Sequence, residues 1–321
     1  MTDPIRLDTP ADHGGDLARA IALYGGARED WLDLSTGINP IPYPLPPIPE
    51  ALWHALPDAD LVAAAEAAAR FCWSVPDGME VVFAGGASAI IAALPALMAP
   101  GPVDIAAPTY NEHARAFAHG GWEVRSVRAP AEDAEAYVVV SPNNPDGRIW
   151  RDLADPTRLA VIDESFADVR DGRRTPFGPR RVVLKSFGKF WGLAGLRLGA
   201  AIAEPDIAAR LRARLGPWAA SGPALHVAAQ ALGDQDWIQR TRGRIAQDAD
   251  RLDGLLLPHV QQKVGGAGLF ATYRLEDAAE MHHRLAERRI WTRVFPYDPT
   301  WIRFGLPGEA PGWDRLGNAL A

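Results

Sequence analysis

The chain is poor in lysine: three in 321 residues, at positions 185, 189 and 263, with the other 30 basic positions taken by arginine. Arginine keeps its proton near neutral pH and cannot serve as an amine nucleophile. Any amine chemistry therefore falls to very few positions. Cysteine is scarcer still. Cys72 stands alone, which excludes a disulfide framework or a cysteine-built metal centre within one chain, and no metal site is expected. Long apolar runs are missing too: residues 89–99, the most apolar stretch, are broken by Pro95 and too short to span a bilayer. The first residues carry no basic stretch leading into an apolar one, the mark of a secretory leader. These absences point to a cytoplasmic protein without a membrane partner. No basic stripe interleaves with aromatics, and a net charge of -7 argues against nucleic acid. Local arginines can still outweigh that sign and hold small anions.

What is present is an ordinary globular composition, 48% apolar, in a chain long enough for two lobes. Residues 60–71 form an alanine-rich helical pattern and 81–84 a short buried strand, with a second helix over 88–98. Further apolar runs at 103–106, 136–140, 159–162 and 181–184 alternate with helical or turn segments. That alternation predicts a mostly parallel sheet covered on both faces. From 204 to 256 the pattern is helical. Segments 268–273 and 301–305, with a helix over 278–288, then suggest a small α/β lobe that takes in the N-terminal residues. The expected division is 46–214 for the large domain, with 1–45 and 215–321 forming the small one.

The polar candidates follow the predicted strands, where ligands of open α/β sheets gather. Gly85-Gly86-Ala87-Ser88 opens a helix after the first strand. Its N–H groups, with the Ser88 hydroxyl, make a cradle for phosphate, although such a turn can be purely structural. Ser141-Pro142-Asn143-Asn144-Pro145-Asp146-Gly147 follows the third strand, either as a simple turn or as the source of a donating Asn144 amide. Asp163 ends the next strand, and a buried carboxylate needs a cationic or donor partner, unless it serves as a helix cap. Lys189 lies beyond the 181–184 run in a glycine-dense segment, with Ser186 three residues before it and Arg197 eight after. Lys185 is the competing amine. In this order the groups suit a Schiff base between Lys189 and pyridoxal phosphate, with Asp163 facing a pyridinium nitrogen and Ser186 and Arg197 facing phosphate oxygens.

Lys189 with Ser186 and Arg197, Asp163, the Asn144-Pro145-x-Gly147 turn and Tyr110 in Ala107-Pro108-Thr109-Tyr110 resemble the fold-type I, class I/II pyridoxal-phosphate-dependent aminotransferases over essentially the whole chain. The resemblance implies a large domain with a seven-stranded, mostly parallel sheet, a small α/β domain from both termini, and a homodimer. It implies that Tyr110 stacks on the cofactor ring, that Asn144 donates to its phenolic oxygen, and that the Gly86, Ala87 and Ser88 turn helps hold its phosphate. Arg303, in Ile302-Arg303-Phe304-Gly305, would take the substrate carboxylate.

Within that family, His13-Gly14-Gly15-Asp16, Ser35-Thr36-Gly37-Ile38-Asn39-Pro40 and Gly216-Pro217-Trp218 are similar to a branch that decarboxylates a phosphorylated amino acid. The neighbouring branch is the histidinol-phosphate-type aminotransferases. A cofactor-binding regulatory protein without turnover is the alternative outside enzymes. Two positions depart from the transaminase pattern. Phe166 stands where a tyrosine usually follows the aspartate by three residues, and Leu56 where relatives place a tyrosine reaching the neighbouring subunit. Losing the first hydroxyl raises the pKa of a Schiff base beside it. Candidate handles for a substrate phosphate are Arg293, His13 and Arg303, with Asn39 at the entrance.

Overall fold

The computed structural model describes residues 13–151, 153, 157–170 and 177–321. A two-residue strand, β1 (Leu32–Asp33), precedes the main sheet. That sheet comprises β2 (Glu80–Ala84), β3 (Pro102–Ala106), β4 (Glu123–Val127), β5 (Ala136–Val140), β6 (Leu159–Asp163), β7 (Arg181–Ser186) and β8 (Gly199–Ala203). Its seven strands run in the order β2-β8-β7-β6-β5-β3-β4. The pairs β4-β3-β5-β6-β7 are parallel, and β8 is antiparallel to both β7 and β2. The valine- and isoleucine-rich strands are short because both faces are buried. Val139 points into one apolar core and its neighbour Val138 into the other. β-branched side chains suit this double burial.

Two strands of the seven-stranded sheet escaped the sequence pattern. β8 reads Gly-Ala-Ala-Ile-Ala, a composition of low strand propensity that is tolerated because the strand is wholly buried between two partners. β4 is an edge strand with charged residues, Glu123 and Arg125. The parallel direction matters most for function. The C-terminal ends of β2, β3, β5, β6 and β7 share one rim, so all the candidate segments emerge side by side.

The second lobe holds β9 (Gln262–Gly266), β10 (Phe270–Arg274), β11 (Ile290–Trp291), β12 (Arg293–Phe295) and β13 (Asp298–Gly305). Four of them form an antiparallel sheet in the order β12-β13-β10-β9, backed by the Ala278–Glu287 helix. β11 instead pairs in parallel with β1. Leu17, Ala20 and Trp31 then share a small core with Ala286 and Trp291. The N-terminal segment thus folds with the C-terminal lobe. The Gly222–Gly233 helix packs on Ala59–Trp73, so the large lobe gathers residues from beyond position 214. The lobes meet at the turn after β5. Gly147 has φ +70°, and a Cβ there would lie 2.2 Å from the Gly266 carbonyl oxygen. Thr272 Oγ1 donates to the Pro145 carbonyl at 2.6 Å across the same junction.

Candidate active site

The two lysines of the 184–199 segment have opposite surroundings. Lys185 is fully buried on β7, with Nζ 2.9 Å from Glu164 Oε2 and 3.2 Å from Asp168 Oδ1. It is committed to a buried ion cluster. Lys189 lies past the end of β7 in a turn whose carbonyl accepts from the Asn39 N–H at 3.0 Å. Its Nζ has no hydrogen-bond or ion-pair partner among the described residues and lies 5.5 Å from the Phe166 ring. Burial first, then the Arg303 and Arg197 guanidinium groups, lower its pKa to about 8 against the pull of Asp163. The residue as a whole stays partly exposed. Such an amine is the kind that forms and releases Schiff bases.

Asp163 closes β6 and is 3% exposed, too little for a carboxylate to rely on solvent. Burial pushes its carboxyl pKa up, but hydrogen bonds from His113 and from Ser165 outweigh that and hold it below the usual range. His113 Nε2 lies 2.9 Å from Asp163 Oδ2, and the Ser165 N–H donates to Oδ1 at 2.9 Å. His113 went unremarked in the sequence. Its spacing, three residues after Tyr110 at the start of the Glu112–His119 helix, was the available signal. The Tyr110 ring stands edge-on to His113 at 6.1 Å. Burial, then Glu112 and Asp163, raise the Tyr110 phenol pKa, against its hydrogen bond with Ser88 and the nearby Arg197.

Asn143 fastens two rim segments together. Its Nδ2 donates to the Pro108 carbonyl at 2.9 Å, and its Oδ1 accepts from Thr109 Oγ1 at 2.6 Å. Asn144, beside it, accepts from Arg303 Nη1 through Oδ1, which turns its Nδ2 donor elsewhere. Arg303 also donates through Nη2 to the Ser35 carbonyl. It is buried, and burial followed by repulsion from Arg293 lowers its pKa to about 10. Arg293 is the direct register partner of Arg303 across β12 and β13. Opposed like charges destabilise a strand pair unless an anion or a polar neighbour offsets them.

At the other end of the rim, a Cβ on Gly86 (φ +95°) would lie 2.7 Å from Arg197 Nη2. Gly199 is equally constrained, since its Cβ would fall 2.3 Å from the Ala87 nitrogen. The glycines therefore let Arg197 and the Gly86–Ser88 turn converge. Ser186 Oγ accepts from the Gly188 N–H at 3.2 Å on the same side. His13 sits at the exposed mouth, its ring 5.7 Å from Tyr110 and its Nε2 3.1 Å from Glu112 Oε1. Asn39 departs from the expected entrance role. It is buried, with Nδ2 donating to the Phe190 carbonyl at 2.8 Å and Oδ1 accepting from Arg244 and from the Ile41 N–H. Its amide is engaged on both sides, so it braces the Lys189 segment.

A partner-free amine, a hydrogen-bonded carboxylate, a free amide donor and a glycine-bounded cationic turn gather at one rim of the sheet. These groups fit pyridoxal phosphate: an aldehyde for Lys189, a ring nitrogen for Asp163, a phenolic oxygen for Asn144 and a phosphate for the Gly86–Ser88 turn, Ser186 and Arg197. The family model described as aminotransferase class I and II matches residues 50–312. The chain belongs to the class I and II aminotransferases. The threonine-phosphate decarboxylase of a Sinorhizobium species is 41% identical, over 98% of this chain and 99% of that protein. That of Pseudomonas aeruginosa is 38% identical, over 96% and 97%. Among solved structures, the histidinol-phosphate aminotransferase of Sinorhizobium meliloti, in complex with pyridoxal-5'-phosphate, aligns with a TM-score of 0.76 at 18% identity, covering 100% of this chain and 97% of that one. That likeness speaks for the class I and II fold. Among the described residues, no helix is long and apolar enough to cross a membrane.

Proposed function

We propose that the chain is a pyridoxal-phosphate-dependent decarboxylase that converts L-threonine O-3-phosphate to (R)-1-amino-2-propanol O-2-phosphate and carbon dioxide, in cobalamin biosynthesis. The observation that carries the reading is Arg303, which acts on the partner-free amine of Lys189 and has a second arginine, Arg293, as its register partner. Two adjacent cations match a substrate bearing both a carboxylate and a phosphate. The names of the two full-length relatives point the same way.

Bound here, pyridoxal phosphate supplies a sink for the electron pair left on Cα when a bond to that carbon breaks. Asp163, kept anionic by His113 and Ser165, holds positive charge on the ring nitrogen. Tyr110 would cover the ring, and the Asn144 amide N–H would donate to the phenolic oxygen. Arg303 and Arg293 grip the substrate at two anionic ends, which restricts rotation about Cα and so selects the bond that breaks. Lys189, with a pKa near 8, both accepts and returns a proton close to neutral pH, and protonates Cα after carbon dioxide leaves. Phe166 places no hydroxyl beside this amine.

The protein works as a homodimer in the cytoplasm. Trp53, Leu56 and Trp218, which expose 63%, 64% and 58% of their surface, are apolar side chains that a partner protomer would cover. The deciding experiment is product analysis with threonine phosphate, with and without 2-oxoglutarate. Carbon dioxide and the amine phosphate appearing without an oxo-acid support the reading. A requirement for 2-oxoglutarate, with glutamate formed, would move the chain to the aminotransferase branch.

A further inference from the structure

The opposition of Arg293 and Arg303 raises the question of what holds two guanidinium groups side by side before any substrate arrives. Their shared neighbour is Phe295, two residues beyond Arg293. The guanidinium carbon of Arg293 lies 5.5 Å from the Phe295 ring centroid, and that of Arg303 lies 6.0 Å from it. Arg303 also packs over Phe270 at 5.1 Å. The register breaks between Val294 and Phe295, so Phe295 pairs with Asp298 and the chain turns back at once. Tyr297, in that turn, tilts against the Phe295 ring at 5.2 Å. Phe295 is 7% exposed, so its ring is fixed by packing and shielded from water. An aromatic face carries partial negative charge and attracts cations most strongly where water is excluded.

We propose that Phe295 is a positioning residue for substrate selection: its ring draws Arg293 toward Arg303, itself fixed by Asn144 and the Ser35 carbonyl, so that the two arginines act as one receptor for two anionic groups. The inference rests on the function proposed above and adds the device by which a phosphorylated amino acid is preferred to the same amino acid without phosphate. An aliphatic residue of similar volume would fill the space and lose the negative face. The Arg293 guanidinium would then lose the aromatic contact that draws it toward Arg303, and the grip on the second anion would weaken while the chemistry at Lys189 stayed intact.

The test compares Phe295→Leu and Phe295→Trp with the parent in two measurements. The first is steady-state kinetics on threonine phosphate. In F295L, KM rises roughly tenfold, equivalent to about 1.4 kcal/mol, with kcat within about twofold and the visible absorbance of the loaded protein unchanged. F295W restores KM because it restores the aromatic face. The second is calorimetric titration of threonine phosphate into borohydride-reduced protein, which reads binding without turnover. The same tenfold weakening in F295L, relieved in F295W, supports the proposal even if the parent shows no decarboxylation, in which case only the assigned reaction fails. Parent-like KM and binding in F295L overturn it. So does a loss in F295L that F295W leaves in place, since packing alone would then explain it.

Discussion

His113 Nε2 lies 2.9 Å from Asp163 Oδ2, and both side chains are shut off from solvent. A buried hydrogen bond to a charged group contributes about 1.5–3 kcal/mol. His113→Phe fills the same space and deletes the donor, so burial would then be opposed by Ser165 alone and the Asp163 pKa would rise. Cofactor affinity should fall roughly 10- to 100-fold, read from retention of visible absorbance during dialysis. Stability carries its own sign. The Asp163 pKa is depressed in the folded protein, so its contribution is full above the ordinary carboxylate range near pH 4 and is lost as pH falls through the folded value. In H113F the acid limb of the melting-temperature profile should begin at higher pH. An unmoved limb would show that the histidine does not govern this carboxylate.

Lys185 and Lys189 should respond in opposite ways to removal. Lys185→Met leaves Glu164 and Asp168 buried without their cation, a loss of about 3–5 kcal/mol. Its melting temperature should drop sharply. Lys189→Met removes an amine whose folded pKa is depressed to about 8. Such a group is largely neutral in both states only above about pH 10.5, and opposes folding increasingly as pH falls from there toward 8. The cofactor-free variant should therefore be more stable than the parent at pH 7, by about 1–2 kcal/mol once screening through the open pocket is allowed for. The difference should vanish near pH 10.5. Thermal scans at both values check this. Borohydride reduction and peptide mapping of the parent should place the label at Lys189 and leave Lys185 unmodified.

Phe166 packs edge-on to Phe270 at 5.1 Å, and a Cβ on Gly37 would approach both rings within 3.0 Å. This tight wedge keeps the ring near Lys189 Nζ. Phe166→Tyr adds a hydroxyl on the cofactor side with little change in volume. A phenol donating to the cofactor's oxygen favours the unprotonated Schiff base. The pH midpoint of the visible absorbance should move down in F166Y by about one unit. An unchanged midpoint would show that the hydroxyl does not reach.

Why some of this could be read from the sequence and some could not is a matter of locality. The Lys189 segment was conspicuous because a lysine is rare here and its glycines serve a local need, such as the φ of +69° at Gly192. The strands at residues 136–140 and 159–162 declared themselves by unbroken apolar runs. β8 did not, since its alanines belong in a strand only because both neighbours bury it. His113 looks like any histidine on an amphipathic helix, and only the sheet brings it to an aspartate 50 residues away. Asn39 has a polar amide in a suggestive motif, yet the Arg244 helix takes it up from 205 residues away. The opposition of Arg293 and Arg303 depends on strand register, which a local pattern does not carry.

Arg303 joins three parts of the protein through one planar group. It donates to the Asn144 side chain after β5 and to the Ser35 carbonyl of the N-terminal segment, from its own place on β13. Gly14 packs against the same junction, where a Cβ would lie 2.3 Å from the Ser35 carbonyl oxygen. Arg303→Lys keeps a charge and loses the fork, and an ammonium cannot serve both partners while also gripping a carboxylate in bidentate fashion. KM for threonine phosphate should rise roughly 10- to 100-fold, the equivalent of a charge-assisted hydrogen bond. The pH dependence separates this from general damage. With its pKa at about 10, Arg303 stays charged through the working range, so the parent's affinity should hold at pH 8 and decline only as pH passes 10. If R303K matched the parent's KM at pH 8, the carboxylate would have to be held elsewhere, and Arg293 would be the next residue to replace.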